Sequence, residues 1–161
     1  MKQPIEGRVT MRSGRRIAAI ALLPSLMILA APSTAWAQTP LNVELGASGT
    51  VSARVLVTVS VSVTCDPSFN NPATGVAEGD LSVEVEQGSG RGIAFGSAGR
   101  SRFVTCTGAP VVLNVGVTAD PSGAPFHGGQ AVARVFASVV APDFSRFETD
   151  NDGPEVIKLR G

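Results

Sequence analysis

The chain has 161 residues, with 13 basic side chains, 13 acidic ones and a single histidine, so its formal net charge is zero, and only 5% of it is aromatic. The charges are unevenly placed: five of the 13 Lys and Arg and one of the 13 Asp and Glu precede Gln38, which leaves 8 against 12, a net of −4, for the rest. That balance excludes the basic footprint of a nucleic-acid binder and the polybasic patch that holds a protein to anionic lipid.

The first element is a leader. Lys2, Arg8, Arg12, Arg15 and Arg16 form a basic head, Ile17 to Ala31 is an apolar run, and Ala35-Trp36-Ala37 is a small-x-small triplet. That order reads as a secretory signal peptide over residues 1–37, cleaved after Ala37. The apolar run falls short of the roughly 20 residues a membrane span needs, and Met11 offers a second start with its own basic head. Residues 38–161 remain as one domain, long enough to bury well over half of its unfolded surface. The expected location is secreted, extracellular, with no membrane attachment after cleavage.

Beyond the leader the dominant pattern has period two. Val55, Val57, Val59, Val61, Val63 and Cys65 alternate with Thr58, Ser60, Ser62 and Thr64, which marks a half-buried antiparallel strand. Leu81, Val83 and Val85 alternate with Ser82, Glu84 and Glu86. A short strand is expected at Ile93–Phe95 and another at Val104–Cys106. Val111, Leu113, Val115 and Val117 alternate with Val112, Asn114, Gly116 and Thr118. Gln130 to Ala141 is apolar on both faces, consistent with a central strand or a short helix, and its valines favour strand. Glu155 to Arg160 closes the series. Between these runs, "DPSFNNPATGVAEGD", "QGSGRG", "GSAGRS", "TGAP", "ADPSGAP" and "TDNDGP" carry turn chemistry. The expected class is all-β: an antiparallel, immunoglobulin-like β-sandwich of about seven strands. The likeness is to architecture only, because the chain has no tyrosine for a tyrosine corner and its one tryptophan lies in the leader.

Two cysteines, Cys65 and Cys106, sit in matching Val-Thr-Cys contexts. An exported chain meets oxidising conditions, where an even cysteine count reads as a disulfide. Two cysteines beside one histidine cannot complete a four-ligand zinc site. A Cys–His catalytic pair would need His127, the single histidine. The expectation is a Cys65–Cys106 bridge, with no catalytic, cofactor-binding or metal-binding residues and no cofactor.

The succession of a cysteine ending one strand, Glu86-Gln87-Gly88, Cys106-Thr107-Gly108, Phe126-x-x-Gly129-x-Ala131 and a closing Ile157-x-Leu159 resembles a group of small secreted actinobacterial β-sandwich proteins. The resemblance covers most of Ser48 to Arg160 and implies the fold and export, but no activity. Many members carry a second cysteine pair just after the Phe-x-x-Gly-x-Ala strand. Here that stretch reads "APDFSRFETD", without cysteine, so the C-terminal loop is expected to be less constrained.

Four other features invite chemistry. His127 has no Gly-x-Ser-x-Gly nucleophile elbow to serve and reads as a loop residue ahead of a strand. Gly88 to Arg100 has neither dinucleotide nor Walker spacing and no following helix, so hairpin turns account for it. Glu84 and Glu86 share one strand face roughly 6–7 Å apart, as glycosidase carboxylates can be, yet an exposed strand face normally carries such charges. Glu148, Asp150, Asp152 and Glu155 offer oxygen ligands suited to calcium, without EF-hand spacing; a hairpin turn before the last strand is expected instead. The functional expectation is a non-enzymatic, monomeric module that binds an unidentified extracellular ligand or protein, with no nucleic-acid partner. The alternatives are an assembling pilin-like or coat subunit pairing through the Ala53–Cys65 strand, and a hydrolase or small-molecule carrier.

Overall fold

Val57, Val59, Val61 and Val63 are completely buried while Thr58, Ser60, Ser62 and Thr64 are only half covered, so the period-two pattern is realised as one inward and one outward face. Each buried valine contributes roughly 1.5–3 kcal/mol of apolar transfer. The computed structural model describes residues 40–102 and 104–161; the leader expected at residues 1–37 lies outside the described residues. Seven strands follow: β1 (Asn42–Ser52), β2 (Leu56–Thr64), β3 (Glu78–Ser89), β4 (Gly92–Ser101), β5 (Val111–Ala119), β6 (Gly129–Val140) and β7 (Phe147–Arg160), with one 3-10 turn at Pro67–Phe69. The core is built from the inward valines of β2, β3, β5 and β6 with Phe69, Leu81, Phe126, Ile157 and Leu159.

The all-β class and the strand number agree with the sequence, but the expected two separate sheets do not appear. The strands close into a barrel in the order β1-β2-β5-β4-β3-β6-β7. Two of the seams are thin. Strands β4 and β5 pair only at Gly96↔Ala119 and Ser97↔Thr118, and β1 and β7 pair in parallel only at Ser48↔Lys158, Gly49↔Leu159 and Thr50↔Arg160. The remaining pairs are longer and antiparallel. Gly96 explains why the β4–β5 seam can form at all, because a Cβ there would lie 2.5 Å from the Thr118 carbonyl oxygen. A bare backbone lets β5 approach where a side chain would hold it off.

Several local expectations are corrected. "GSAGRS" is not a turn: it runs as the second half of β4, and Gly96 serves close approach rather than reversal. "TDNDGP" is not a hairpin turn either, since β7 continues through it with an irregularity opposite Ala133–Val135. Val104–Cys106 is irregular rather than a strand, and β1 takes its place in the count of seven. Strand β1 is hidden in sequence because "GASG" interrupts its alternation, and its turn to β2 uses Ala53 and Arg54 at φ +49° and +62°, without the usual glycine or asparagine. Val55 belongs to that turn and is 52% exposed, not inward. Of Gln130–Ala141, all but the last residue resolves as strand, flanked by β3 on one side and β7 on the other.

Candidate functional site

Cys65 follows β2 directly and Cys106 lies in the connection to β5, the strand beside it, so the topology brings the two thiols together at one end of the barrel. They form a disulfide with Cα atoms 4.9 Å apart, inside the range such bridges require. Both are buried. Asn70 reinforces the same end: its Nδ2 donates to the Cys106 carbonyl at 2.8 Å while its Oδ1 accepts from the Cys106 N–H at 2.8 Å. A side-chain amide thus replaces a strand partner for an irregular segment. Beneath it, Arg146 stacks 4.0 Å over the buried Phe69 ring, donates to Ser68 Oγ, and holds its Nε 3.5 Å from Glu148 Oε1, an ion-pair separation rather than a hydrogen bond.

The acidic stretch has a definite task. Glu148, Asp150 and Asp152 stand opposite Val139, Ala137 and Val135 of β6, so their side chains share the inward face of β7. Each accepts a backbone N–H from β1 or the residue just before it: Leu41 to Glu148 at 2.7 Å, Val43 to Asp150 at 2.8 Å and Leu45 to Asp152 at 2.7 Å. All three donors precede the irregularity of β1 between Leu45 and Gly49. Where the two backbones do not pair, a ladder of carboxylates with the strand's own period of two satisfies the N–H groups. Among the described residues, no group of three or more His, Cys, Asp or Glu is placed to hold a metal ion.

Gln87 and His127 form a second internal brace. Gln87 is 2% exposed; its Nε2 donates to the His127 and Gln130 carbonyls and its Oε1 accepts the His127 N–H. The His127 ring nitrogens lie 2.8 Å from the Gly128 carbonyl oxygen and 3.2 Å from that of Gly88. The glutamine of Glu86-Gln87-Gly88 is therefore a structural residue that ties β3 to the start of β6 and the loop before it. Its inward position follows from its place in the Leu81, Val83, Val85 alternation, a signal the polar identity of the side chain obscures.

What remains outward is the face of β4, β3, β6 and β7. Glu84 pairs in register with Arg134, and their side chains make an ion pair, Arg134 Nε to Glu84 Oε2, at 3.1 Å. Glu86 lies outward on the same strand, beside Val132 and Phe95. Next to the ion pair, β7 carries its irregularity. Gly153 has φ +98° and a Cβ there would lie 2.6 Å from the Ala133 carbonyl oxygen, so only glycine fits. The peptide to Pro154 is cis. This displaced segment walls a cleft of about 390 Å³, lined by Ser82, Glu84, Arg134, Phe136, Asn151 and Pro154 among others.

The cleft combines a guanidinium, the carboxylates of Glu84 and Asp152, a side-chain amide and an aromatic ring that is 44% exposed, with Asp152 already accepting the Leu45 N–H. Arg134 has five N–H donors and its ion pair uses one of them. The Arg134 side chain is 55% exposed and that of Glu84 41%, so the pair is worth at most about 1 kcal/mol and can be exchanged for a ligand at little cost. A larger depression of about 650 Å³ near the disulfide is lined by Asn70, Arg146 and their neighbours, but there the cation is already engaged by Phe69 and Glu148. The fold and cleft define a disulfide-stapled, closed all-β domain with a mixed polar and aromatic surface cleft. No family model, curated protein or solved structure matches this chain.

Proposed function

We propose that the protein is an exported, non-enzymatic module that binds an extracellular ligand in the Arg134–Phe136 cleft. The observation that carries this reading is the exchangeable Glu84–Arg134 pair beside the exposed Phe136 ring and the Gly153-Pro154 wall. Such a site favours a small group with an anionic or hydrogen-bonding head and a flat apolar body: the guanidinium takes the head, and Phe136 and Pro154 take the body. Export is supported by the basic head, apolar run and Ala-Trp-Ala triplet, with which the buried disulfide is compatible. The immunoglobulin-like reading of the fold is supported by the two thin seams, which divide the ring into a β1-β2-β5 face and a β4-β3-β6-β7 face.

Benzoate, an aromatic carboxylate, serves as a probe of the cleft's chemistry. Titrated into residues 38–161, it is expected to shift the amide resonances of residues 82–84, 134–136 and 151–154 saturably, and Arg134→Ala is expected to abolish the shifts. Shifts that are absent, or that survive in Arg134→Ala, overturn the assignment. The intact mass of the exported protein is expected to begin at Gln38; a mass retaining residues 17–37 overturns the export reading.

A further inference from the structure

The strand that sequence offers for assembly, β2, is unavailable: β1 and β5 occupy both of its edges over eight residues each. The open edge belongs to β5. The direction of its backbone groups follows from two hydrogen bonds at its end. The Ala119 N–H donates to Val55, on the β2 side, and the Asp120 N–H donates to Phe95, on the β4 side. Alternation then directs Val112, Asn114 and Gly116 toward β4. Strand β4, however, pairs with β5 only at Gly96↔Ala119 and Ser97↔Thr118. Among the described residues, no strand pairs with β5 on that side between Val111 and Val117, and Val112, Asn114 and Gly116 are all exposed.

We infer that this edge pairs with the same edge of a second copy, antiparallel about a two-fold axis through Asn114. Pro110 bounds the open window on one side and the Thr118 seam on the other, and Asn114 is the midpoint of Val111–Val117. An axis there uses the whole window, places Val112 against Gly116 of the partner subunit, and sets the two Asn114 side chains opposite each other. Self-pairing demands that identical residues face one another, so a charge near the axis would repel its copy. The window "VVLNVGV" contains none. It also lacks the lysines, prolines and inward charges that blunt solitary sheet edges. The neighbouring outward residues on β2, Thr58, Ser60 and Ser62, are small and uncharged, so they leave the approach clear. The product is a continuous six-stranded sheet running β1-β2-β5 and on into the second copy. This inference is independent of the ligand cleft, which lies on the opposite face of the ring.

Sedimentation equilibrium on residues 38–161, with the disulfide intact, is expected to show a monomer–dimer equilibrium, and Asn114→Lys is expected to weaken association at least tenfold. Val112→Lys, whose lysine would face Gly116 of the partner subunit, is expected to weaken it less. Both variants are expected to retain the wild-type unfolding midpoint, since their side chains point outward. Hydrogen exchange is expected to slow at Val112, Asn114 and Gly116 on dimerisation. A wild-type monomer at millimolar concentration overturns the inference. So does a dimer that survives Asn114→Lys, or one whose protected amides lie elsewhere.

Discussion

Replacing Asp150 by alanine tests whether the carboxylate ladder holds the first half of β1 in place. Asp150 Oδ2 accepts the Val43 N–H at 2.8 Å, and Val43 is 3% exposed, so water cannot readily replace the lost acceptor. A buried donor stripped of its partner costs about 1–3 kcal/mol, toward the upper end when the acceptor is charged. Leu41 and Leu45 keep their bonds to Glu148 and Asp152, so β1 stays docked and the loss is confined to one rung. Urea unfolding should therefore give about 2 kcal/mol less stability for Asp150→Ala, with an unchanged slope. Asp150→Asn retains a side-chain carbonyl and should recover more than half of that loss. The decisive readout is local: exchange at the Val43 amide should accelerate in Asp150→Ala while that of Val61, across the β1–β2 pair, stays slow. A stability change below about 0.5 kcal/mol with undiminished protection at Val43 would refute the ladder.

Changing Cys65 and Cys106 together to alanine opens a loop of sequence separation 41 and should lower stability by about 3–4 kcal/mol on the chain-entropy view; the oxidised protein should show no thiol titre, and a reactive thiol without reduction contradicts the bridge. Gly153→Ala combines a φ of +98° with a Cβ 2.6 Å from the Ala133 carbonyl oxygen, so a loss of about 2 kcal/mol or more is expected in thermal unfolding, and a neutral outcome would show that the irregularity can relax. Asp120 is held below the ordinary carboxylate range by hydrogen bonds from the Ser122 hydroxyl and N–H. A lowered folded-state value means that its contribution is present above the unfolded pKa and is lost as pH falls through the folded one. Ser122→Ala should accordingly raise its titration midpoint by NMR, and an unmoved midpoint would discount the hydroxyl.

Much of this barrel is legible in local sequence. Alternation over Val57–Val63, Leu81–Val85 and Val111–Val117 specifies inward faces because a strand's side chains change side at every residue, whatever the strand packs against. The same rule carries Cys65 inward at the end of β2, while Cys106 is buried in an irregular segment and reaches it through the pairing of two thiols. Residues whose meaning depends on a distant strand are different. Gly96 and Gly153 look like turn glycines until Thr118 and Ala133 are seen to occupy the space a Cβ would need. Glu148, Asp150 and Asp152 look like a solvated loop until Leu41, Val43 and Leu45, each 107 residues earlier, present their N–H groups to them. Arg134 and Phe136 lie in an apolar run and gain their role only when β3 brings Glu84 alongside and β7 bends away. Sequence by itself determined the class, the inward faces and the disulfide, since each rests on period-two geometry or on the pairing of two thiols. Closure into a ring, the open β5 edge and the cleft were decided by the tertiary structure, because they depend on which strands meet and how closely, and no local pattern encodes that.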